Sequence, residues 1–292
     1  MDKYNTKLIV YLIGGLGNQL FTLFNGIALS KKYNKALLVS YDTSYQQQYL
    51  KNRNTYRKNP NQYKLFEKIR FNQTIDDIDY LKFNEKSFKY QLIELEEQQN
   101  YIINGYYQSY KYFWEYKDEI KLYLNIDYPK ISKIKEIYQS FQKPVLAIHI
   151  RLGDYINLSD HHYNCSIEYY KQALSDYDLN NYQILLFSDD PTLAQQRLLP
   201  LSLEIEIADK FFTENIDQFY MLILANVIIG ANSIFSLMSC YLNEIYNFNY
   251  NSSYIFPRKW FGPKGPEYDI YDLIPENNLK FKIIQIDNKK KT

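Results

Sequence analysis

The chain has 292 residues, 46% of them hydrophobic, and its formal net charge at pH 7 is +1. This length exceeds the usual size of one hydrophobic core, so two packed domains are expected, and the apolar content excludes a disordered chain. A nearly neutral protein has no overall field that draws it to nucleic acid or anionic lipid, so neither is an expected partner. Its cysteines, Cys165 and Cys240, have no metal-ligand spacing and form no disulfide framework, which favours a reducing compartment.

The apolar stretch nearest the amino terminus is too short to cross a membrane. It runs from Leu8 to Ile13, whereas a membrane span needs ~20 residues. We therefore expect a soluble, cytoplasmic protein with neither signal peptide nor transmembrane segment. The sequence leaves the oligomeric state open.

The first third of the chain predicts a β-loop-α-β unit. A buried strand over 7–13 leads into a tight glycine-rich loop over 14–19. Apolar residues then recur at helical spacing over 18–32, and a second short strand covers 36–39. This order implies a parallel sheet. The later predictions in this half are a polar surface loop at 45–61, short helices within the ambiguous segment 62–100, a strand at 101–106, and helices at 111–125 and 130–142.

Pro144 restarts the alternation of strands and helices. The predicted strands are 145–150, 183–187, 204–208 and 226–229, and the predicted helices are 167–175 (capped by Ser166), 191–199, 215–225 and 234–242. The simplest architecture is two α/β domains, 1–143 and 144–292. The lysine-rich tail 289–291 is expected to fray.

Charged residues stand where strand 145–150 ends, in the run His149-Ile150-Arg151-Leu152-Gly153-Asp154-Tyr155. Open α/β sheets bind ligands beyond the carboxyl ends of their strands. Arg151 offers a fixed charge and a planar fork of donors that suits phosphate oxygens. A surface turn with one ion pair is the alternative.

Two further strand ends carry polar residues. Ser188-Asp189-Asp190 offers acids that accept hydrogen bonds from a guanine edge or a sugar, or act as a base, but Asp before Pro191 is also a common helix start. Asn232-Ser233-Ile234-Phe235-Ser236 offers hydroxyl and backbone N–H groups suited to a phosphate, with capping by Ser233 as the alternative. The three loops together predict a nucleotide-phosphate site, and a nucleotide-sugar transferase fits it.

Gly14-Gly15-Leu16-Gly17-Asn18-Gln19 is a glycine-rich turn ahead of a helix, which brings N–H groups and the positive helix end toward an anion. It lacks the third glycine of the dinucleotide fingerprint and the Lys-Ser/Thr pair of a P-loop. A plain turn and a ligand contact both remain open here, although the Asn18 amide is able to address a sugar hydroxyl or a phosphate. Adjacent His161 and His162 do not predict a metal site.

Four segments, in order along the chain, resemble motifs of the α-1,2-fucosyltransferase family, glycosyltransferase family 11. Gly14–Phe21 is similar to the amino-terminal signature, and His149–Tyr155 to the basic motif shared with other GDP-fucose-using transferases. Phe187–Asp190 and Asp217–Asn243 resemble the second and third motifs, and Pro257–Trp260 resembles a patch near the carboxyl terminus. The resemblance spans nearly the whole chain.

Two positions depart from the family pattern. Leu152 stands where the family has a second basic residue, and Leu237 and Met238 stand where it has a tryptophan pair. Both departures bear on donor or acceptor preference.

The resemblance implies a GT-B-like fold, that is, two Rossmann-like α/β domains with a cleft between them. The domain 1–143 would carry the acceptor side, and the domain 144–292 would bind the nucleotide sugar. The implied reaction is inverting transfer of L-fucose from GDP-fucose to a galactose hydroxyl of a glycan, in α-1,2 linkage, with no metal and no cofactor besides the co-substrate.

The motifs assign catalytic roles to His149, Arg151 and Asp154. Asp154 is either the base or a residue that orients Arg151 or pins the loop, and the sequence does not identify the general base. Donor binding is assigned to a larger set: Gly15, Gly17, Asn18, Gln19, Ser188, Asp189, Asp190, Asn232, Ser233, Ile234, Phe235 and Ser236.

Rival hypotheses are a transferase with another nucleotide-sugar donor and a non-catalytic glycan-binding relative. A binding module need not keep the phosphate-facing charge set of His149, Arg151, Asp154, Asp189 and Ser233, which argues against the second rival. The missing third glycine disfavours a dinucleotide oxidoreductase.

Overall fold

The computed structural model describes residues 6–41, 60, 63–72 and 80–286. The chain divides into two compact units, which we call unit 1 (Met1–Asp127 with Glu267–Ile274) and unit 2 (Tyr128–Pro266 with Pro275–Thr292). The predicted loop 45–61, except Pro60, and the tail 289–291 lie outside the described residues.

The elements before residue 128 belong to unit 1. They are β1 (Lys7–Tyr11), α1 (Leu16–Lys32), β2 (Ala36–Ser40), β3 (Phe71–Asn72), β4 (Tyr80–Asn84), β5 (Asn100–Asn104) and α2 (Lys117–Tyr123), with 3₁₀ turns at Lys64–Phe66, Tyr110–Tyr112 and Trp114–Tyr116. The elements from residue 128 onward, of which α9 returns to unit 1, are α3 (Tyr128–Ser140), β6 (Val145–Ile150), α4 (Gly153–Asn157), α5 (Ile167–Leu174), β7 (Gln183–Ser188), α6 (Pro191–Leu198), β8 (Glu206–Ile207), α7 (Asn215–Leu224), β9 (Val227–Ile229), α8 (Ile234–Tyr246), β10 (Ser253–Pro257), α9 (Ile270–Leu273) and β11 (Phe281–Ile284), with 3₁₀ turns at Leu179–Asn181, Leu199–Leu201 and Ala208–Lys210.

Each unit is built on its own parallel sheet. Within the described ranges, the strand order is β3-β2-β1-β5-β4 in unit 1 and β11-β10-β9-β6-β7-β8 in unit 2, and every pairing is parallel. The central strand β6 is buried along its whole length, as expected for a parallel strand covered on both faces. The predicted α/β class with two parallel sheets is thus confirmed. The cleft between domains stays a prediction.

Two predictions for unit 1 need correction. The ambiguous segment 62–100 favoured short helices, and it contains the 3₁₀ turn Lys64–Phe66, but it also contains strands β3 and β4, which pair with β2 and β5. As an edge strand, β4 has no fully buried residue, so it lacks the apolar run that marks a strand in sequence. The segment 111–125 is two 3₁₀ turns followed by the short helix α2.

The division between the units differs from the predicted boundary at 143/144. Helix α3 contacts α7, and Tyr138 Oη donates to Met221 O over 2.8 Å, so residues 128–143 pack in unit 2. Residues 267–274 return to unit 1, where Asp272 accepts from Tyr90 N (2.7 Å) and Lys111 Nζ (2.6 Å). A chain that crosses back in this way leaves no signal in composition.

The strand order sets the site. In unit 2, β9, β6 and β7 are neighbours, so the loops after these strands emerge side by side at the carboxyl edge of the sheet. No helix of the described residues is long and apolar enough to cross a membrane.

Candidate active site

Arg151 follows β6 and is held by two carboxylates. Its Nη2 donates to Asp154 Oδ1 over 2.8 Å, and its Nη1 lies 3.0 Å from Asp189 Oδ2. The other oxygen of Asp189 accepts from Leu152 N at 2.9 Å. The end of β7 therefore fixes both the guanidinium and the backbone of the loop that carries it.

The charge of Arg151 is secure although its side chain is only 27% exposed. Burial opposes the charge, but Asp189 and Asp154 outweigh it and raise the pKa of the guanidinium above its ordinary value. The guanidinium carbon also lies 5.5 Å from the centroid of the Tyr155 ring, a cation–π distance. A permanent cation thus stands at the carboxyl edge of β6.

Gly153 is needed at this point for close packing. A Cβ added there would overlap Asp189 Oδ2, so any larger residue would push the carboxylate that holds Arg151. The glycine in the motif therefore serves the ion pair and not a left-handed turn.

His149 is the penultimate residue of β6, close to the carboxyl edge of the sheet. Its imidazole is neutral. It is 5% exposed, and burial, followed by the charge of Arg151, lowers its pKa to about 3. Its Nδ1 lies 3.0 Å from Ser236 Oγ, and that hydroxyl donates to Ser233 O at 3.2 Å. His149 and the first turn of α8 are therefore linked by a buried hydrogen bond.

The start of α8 provides backbone donors. Ser233 is the N-cap residue, and within the described part of the chain its hydroxyl makes no capping hydrogen bond. The first N–H groups of a helix have no partner inside the helix, and they favour an anion. Beside them the Phe235 ring centroid lies 5.9 Å from that of His149, and Ile234 begins the helix.

Asn232 has a structural role in this arrangement. Its Nδ2 donates to Trp260 O at 2.6 Å, and its Oδ1 accepts from Cys165 Sγ at 3.4 Å. Tyr155 Oη donates to the Asn232 carbonyl oxygen over 3.2 Å. The amide thus joins the α8 start to the 257–260 patch, and Tyr155 ties the loop after β6 to the loop after β9.

The acids after β7 have different partners. Asp189 holds Arg151, whereas Asp190 is the N-cap of α6 and accepts from Leu193 N at 3.0 Å, with Pro191 in the first helical turn. Ser188 Oγ accepts from Asp190 N at 3.1 Å. The helix-start alternative weighed for this segment is realised at Asp190.

The glycine-rich loop lies in unit 1, at the carboxyl edge of that unit's own sheet. Gly14 adopts the left-handed φ of +76°, and α1 begins after its N-cap Gly15 and includes Gly17. Gln19 Nε2 donates to Gly14 O at 3.1 Å, and Asn18 Oδ1 accepts from Gln108 Nε2 at 2.9 Å.

The structure thus gathers His149, Arg151, Asp154, Asp189 and the segment 232–236 at the unit 2 edge. Sequence reasoning assigned no role to Tyr155, although it stands in the basic motif, nor to Gln108. An aromatic that closes a charged motif was the available signal for Tyr155. Nothing in the sequence links Gln108 to Asn18, which is 90 positions away.

The protein has two α/β units, each built on a sheet of parallel strands. At the carboxyl edge of one sheet, Arg151 forms ion pairs with Asp154 and Asp189. The chain belongs to glycosyl transferase family 11, whose family model matches residues 1–256. It is a glycosyltransferase, and the resemblance stated from its motifs is confirmed.

The chain is similar in sequence or in fold to several known proteins. An alpha-1,2-colitosyltransferase from Escherichia coli is 25% identical over 305 residues, which cover 92% of this chain and 97% of that protein. The structure of fucosyltransferase NodZ from Bradyrhizobium aligns with a TM-score of 0.48 at 11% identity, over 80% of this chain and 93% of that one. A glycosyl transferase family 9 protein from Veillonella parvula aligns with a TM-score of 0.49 at 10% identity, over 98% and 87%.

Proposed function

We propose that this protein transfers L-fucose from GDP-fucose to the 2-hydroxyl of a terminal galactose, with inversion at the anomeric carbon. Family membership and the ordered motifs support sugar transfer from a nucleotide donor. The observation that carries the proposal is Arg151, held by two carboxylates where β6 meets the start of α8.

In the proposed reaction the acceptor oxygen attacks the anomeric carbon while the bond from that carbon to the phosphate oxygen breaks. GDP leaves with the electron pair, and the hydroxyl proton passes to a base. Two of the five guanidinium N–H groups of Arg151 are used by the carboxylates, which leaves donors for the phosphate. Fixed donors aimed at developing charge are among the largest contributions to catalysis. The start of α8 adds backbone N–H groups for the same charge.

Asp154 and His149 act in this proposal through other residues. Asp154 Oδ1 bonds Arg151, which favours an orienting role over that of the base. His149 is neutral and hydrogen-bonded to Ser236, so it steadies the start of α8 rather than adding a second cation. The identity of the base is not part of the proposal.

The two acids after β7 have different roles in the proposal. Asp189 uses both oxygens on the loop after β6, so we assign it to holding Arg151. Asp190 is the remaining candidate for the guanine N1–H and N2–H₂ donors, although one of its oxygens caps α6. Ser188 would support Asp190 through its backbone N–H contact.

A second donor is favoured by one observation. The Escherichia coli relative is an alpha-1,2-colitosyltransferase, and colitose is L-fucose without its 3-hydroxyl. Leu152 is fully buried where the family pattern has a second basic residue. This difference in the basic motif supports a donor sugar other than fucose.

The test is a donor panel of GDP-fucose, GDP-colitose, GDP-mannose and UDP-galactose with a lactose-type acceptor, followed by mass spectrometry. We expect one added deoxyhexose from GDP-fucose, placed on the galactose 2-hydroxyl. Addition from GDP-colitose alone would support the second donor, and consumption of UDP-galactose alone would overturn both.

The same assay run in EDTA and in added magnesium tests the assignment of charge stabilisation to Arg151. We expect equal rates in the two conditions. A rate that vanishes in EDTA and returns with one divalent ion would contradict it.

A further inference from the structure

The Asn18 carboxamide at the unit 1 edge is held in one orientation by a buried glutamine. Gln108 is 7% exposed, and its Nε2 donates to Asn18 Oδ1 over 2.9 Å. Because the amide oxygen of Asn18 accepts this bond, its N–H₂ group is directed away from Gln108. A free asparagine amide has no such preference.

The glycine-rich loop leaves space for that N–H₂ group. A Cβ added at Gly14 would lie 2.6 Å from Asn18 Nδ2, and the φ of Gly14 is +76°. Gln19 Nε2 also fixes the Gly14 carbonyl at 3.1 Å. The loop therefore accommodates the donor end of Asn18 and not a larger side chain.

The backbone that precedes Gln108 is held by the end of β4 and by Glu85, which follows it. The carboxylate of Glu85 accepts from Tyr106 N and Tyr107 N, both at 2.9 Å. Tyr107 has a left-handed φ of 47°, uncommon for a bulky residue and maintained only when its surroundings enforce it. Its hydroxyl donates to Phe83 O at 3.0 Å. The backbone immediately before Gln108 is thus fixed by several bonds.

We propose that Gln108 is a positioning residue that makes Asn18 present its N–H₂ group, and not its carbonyl, to a substrate oxygen. The inference rests on the proposed function for the catalysis it serves. The recognised group is an oxygen with free lone pairs, which either the phosphate of the nucleotide sugar or a hydroxyl of the acceptor supplies.

The experiment is a double-mutant cycle between Gln108 and Asn18, run with whichever nucleotide sugar the wild-type protein consumes. Gln108→Met keeps the length of the side chain and removes its polarity. Gln108→Glu keeps the shape but removes the donor, so its carboxylate accepts from the Asn18 N–H₂ and turns the amide around. We expect kcat/KM to fall ~10-fold for Gln108→Met, the scale of one lost hydrogen bond, and ~100-fold for Gln108→Glu, the scale of a misdirected catalytic donor.

The effect of the Gln108 substitutions in a protein that lacks the Asn18 amide distinguishes positioning of that amide from simple packing. In an Asn18→Ala protein, both Gln108 substitutions should change kcat/KM by no more than about twofold, because the group they orient is gone. Equal losses in the two backgrounds, or wild-type kcat/KM for Gln108→Glu, would overturn the proposal. Thermal unfolding of each variant identifies those that fail to fold. If Gln108→Glu fails to fold, the kcat/KM of Gln108→Met in the two backgrounds tests the proposal.

The kinetic constants separate the two sources of the oxygen. A rise in the donor KM together with weaker GDP binding identifies the phosphate, and a rise in the acceptor KM identifies the hydroxyl. Asn104→Asp is the matched control, since Asn104 Nδ2 donates to Asn84 Oδ1 at the same distance of 2.9 Å in an exposed amide pair of the same unit. Its kcat/KM should equal that of the wild type. If GDP-fucose is not consumed, the proposed donor fails while this cycle still reports on Gln108.

Discussion

The carboxyl edges of the two sheets use polarity in opposite ways. At the unit 2 edge a guanidinium is held between Asp154 and Asp189. At the unit 1 edge an amide pair, Asn18 and Gln108, stands at the start of α1. Both edges follow the same topological rule for ligand sites, yet one is ionic and the other neutral.

The difference follows from what each arrangement is able to stabilise. A partly buried charge is retained only where partners offset its desolvation, and a cation so held suits an anionic leaving group. An amide pair costs less to bury and suits oxygens that need orientation. We infer that unit 2 carries the charge chemistry and unit 1 the alignment of oxygens.

The largest test of this contrast is Arg151. We expect Arg151→Ala and Arg151→Lys to lower kcat by ~10²–10³, the range for one preorganised donor at developing charge, because lysine lacks the fork that spans Asp154 and Asp189. Steady-state kinetics beside thermal unfolding measures it. Wild-type turnover by the lysine variant would remove Arg151 from the mechanism.

The next test separates the two neighbouring acids. Asp189→Asn removes the charge opposite Arg151, and the loss of one charge-assisted bond predicts a fall in kcat of about 10- to 100-fold. Asp190→Asn keeps an equally good N-cap for α6, so we expect normal stability and weaker GDP binding. Calorimetric titration with GDP checks both variants. A kcat unchanged in Asp189→Asn, with GDP affinity lost, would reverse the assignment.

Much of unit 2 could be predicted from sequence because its central strands, β6 and β9, are fully buried. The apolar run 145–150 is β6 as predicted, and a buried parallel strand needs no alternation to be recognised. By contrast, β4 has three exposed and two partly buried residues, and its identity depends on the pairing with β5. Whether such an edge segment forms a strand therefore depends on its tertiary pairing with a neighbouring strand.

The site was predictable as a set of loops and not as a set of contacts. Strand ends located Arg151 and Asp189 at one edge, but the pairing of these two residues depends on β7 lying beside β6. The bond of Gln108 to Asn18 joins a loop after β5 to the start of α1. Side-chain partners this far apart in sequence follow from the register of the folded sheet.

The pH dependence of stability tests how the ionic edge affects His149. Burial, and to a smaller extent the charge of Arg151, lowers the pKa of His149 to about 3. The unfolded chain takes up this proton near pH 6.5, so the contribution of His149 to stability is complete above that pH and is lost as the pH falls toward 3. Between pH 7 and pH 5 we expect the wild type to lose about 2 kcal/mol more than His149→Gln.

Denaturant unfolding at the two pH values measures this difference. Asn18→Ala is the control from the neutral edge and should lose as much stability as the wild type. Equal losses in the wild type and His149→Gln would show that His149 is not held neutral.

The smallest expected effect uses one glycine from each edge. A Cβ at Gly153 would overlap Asp189 Oδ2, whereas a Cβ at Gly15 meets no atom of the described residues within 4 Å. Gly15→Ala should therefore leave thermal unfolding unchanged, and any kinetic loss must come from substrate. We expect the KM for the nucleotide sugar to rise ~10-fold, the lower end of what one misplaced methyl group costs in a binding pocket.

Gly153→Ala is expected to behave differently, because its Cβ displaces the carboxylate that holds Arg151 and so lowers kcat. A Gly15→Ala protein with wild-type kinetics in both substrates would mean that the glycine-rich loop is a structural turn. The alanine pair thus distinguishes a glycine kept for a ligand from a glycine kept for a neighbouring side chain.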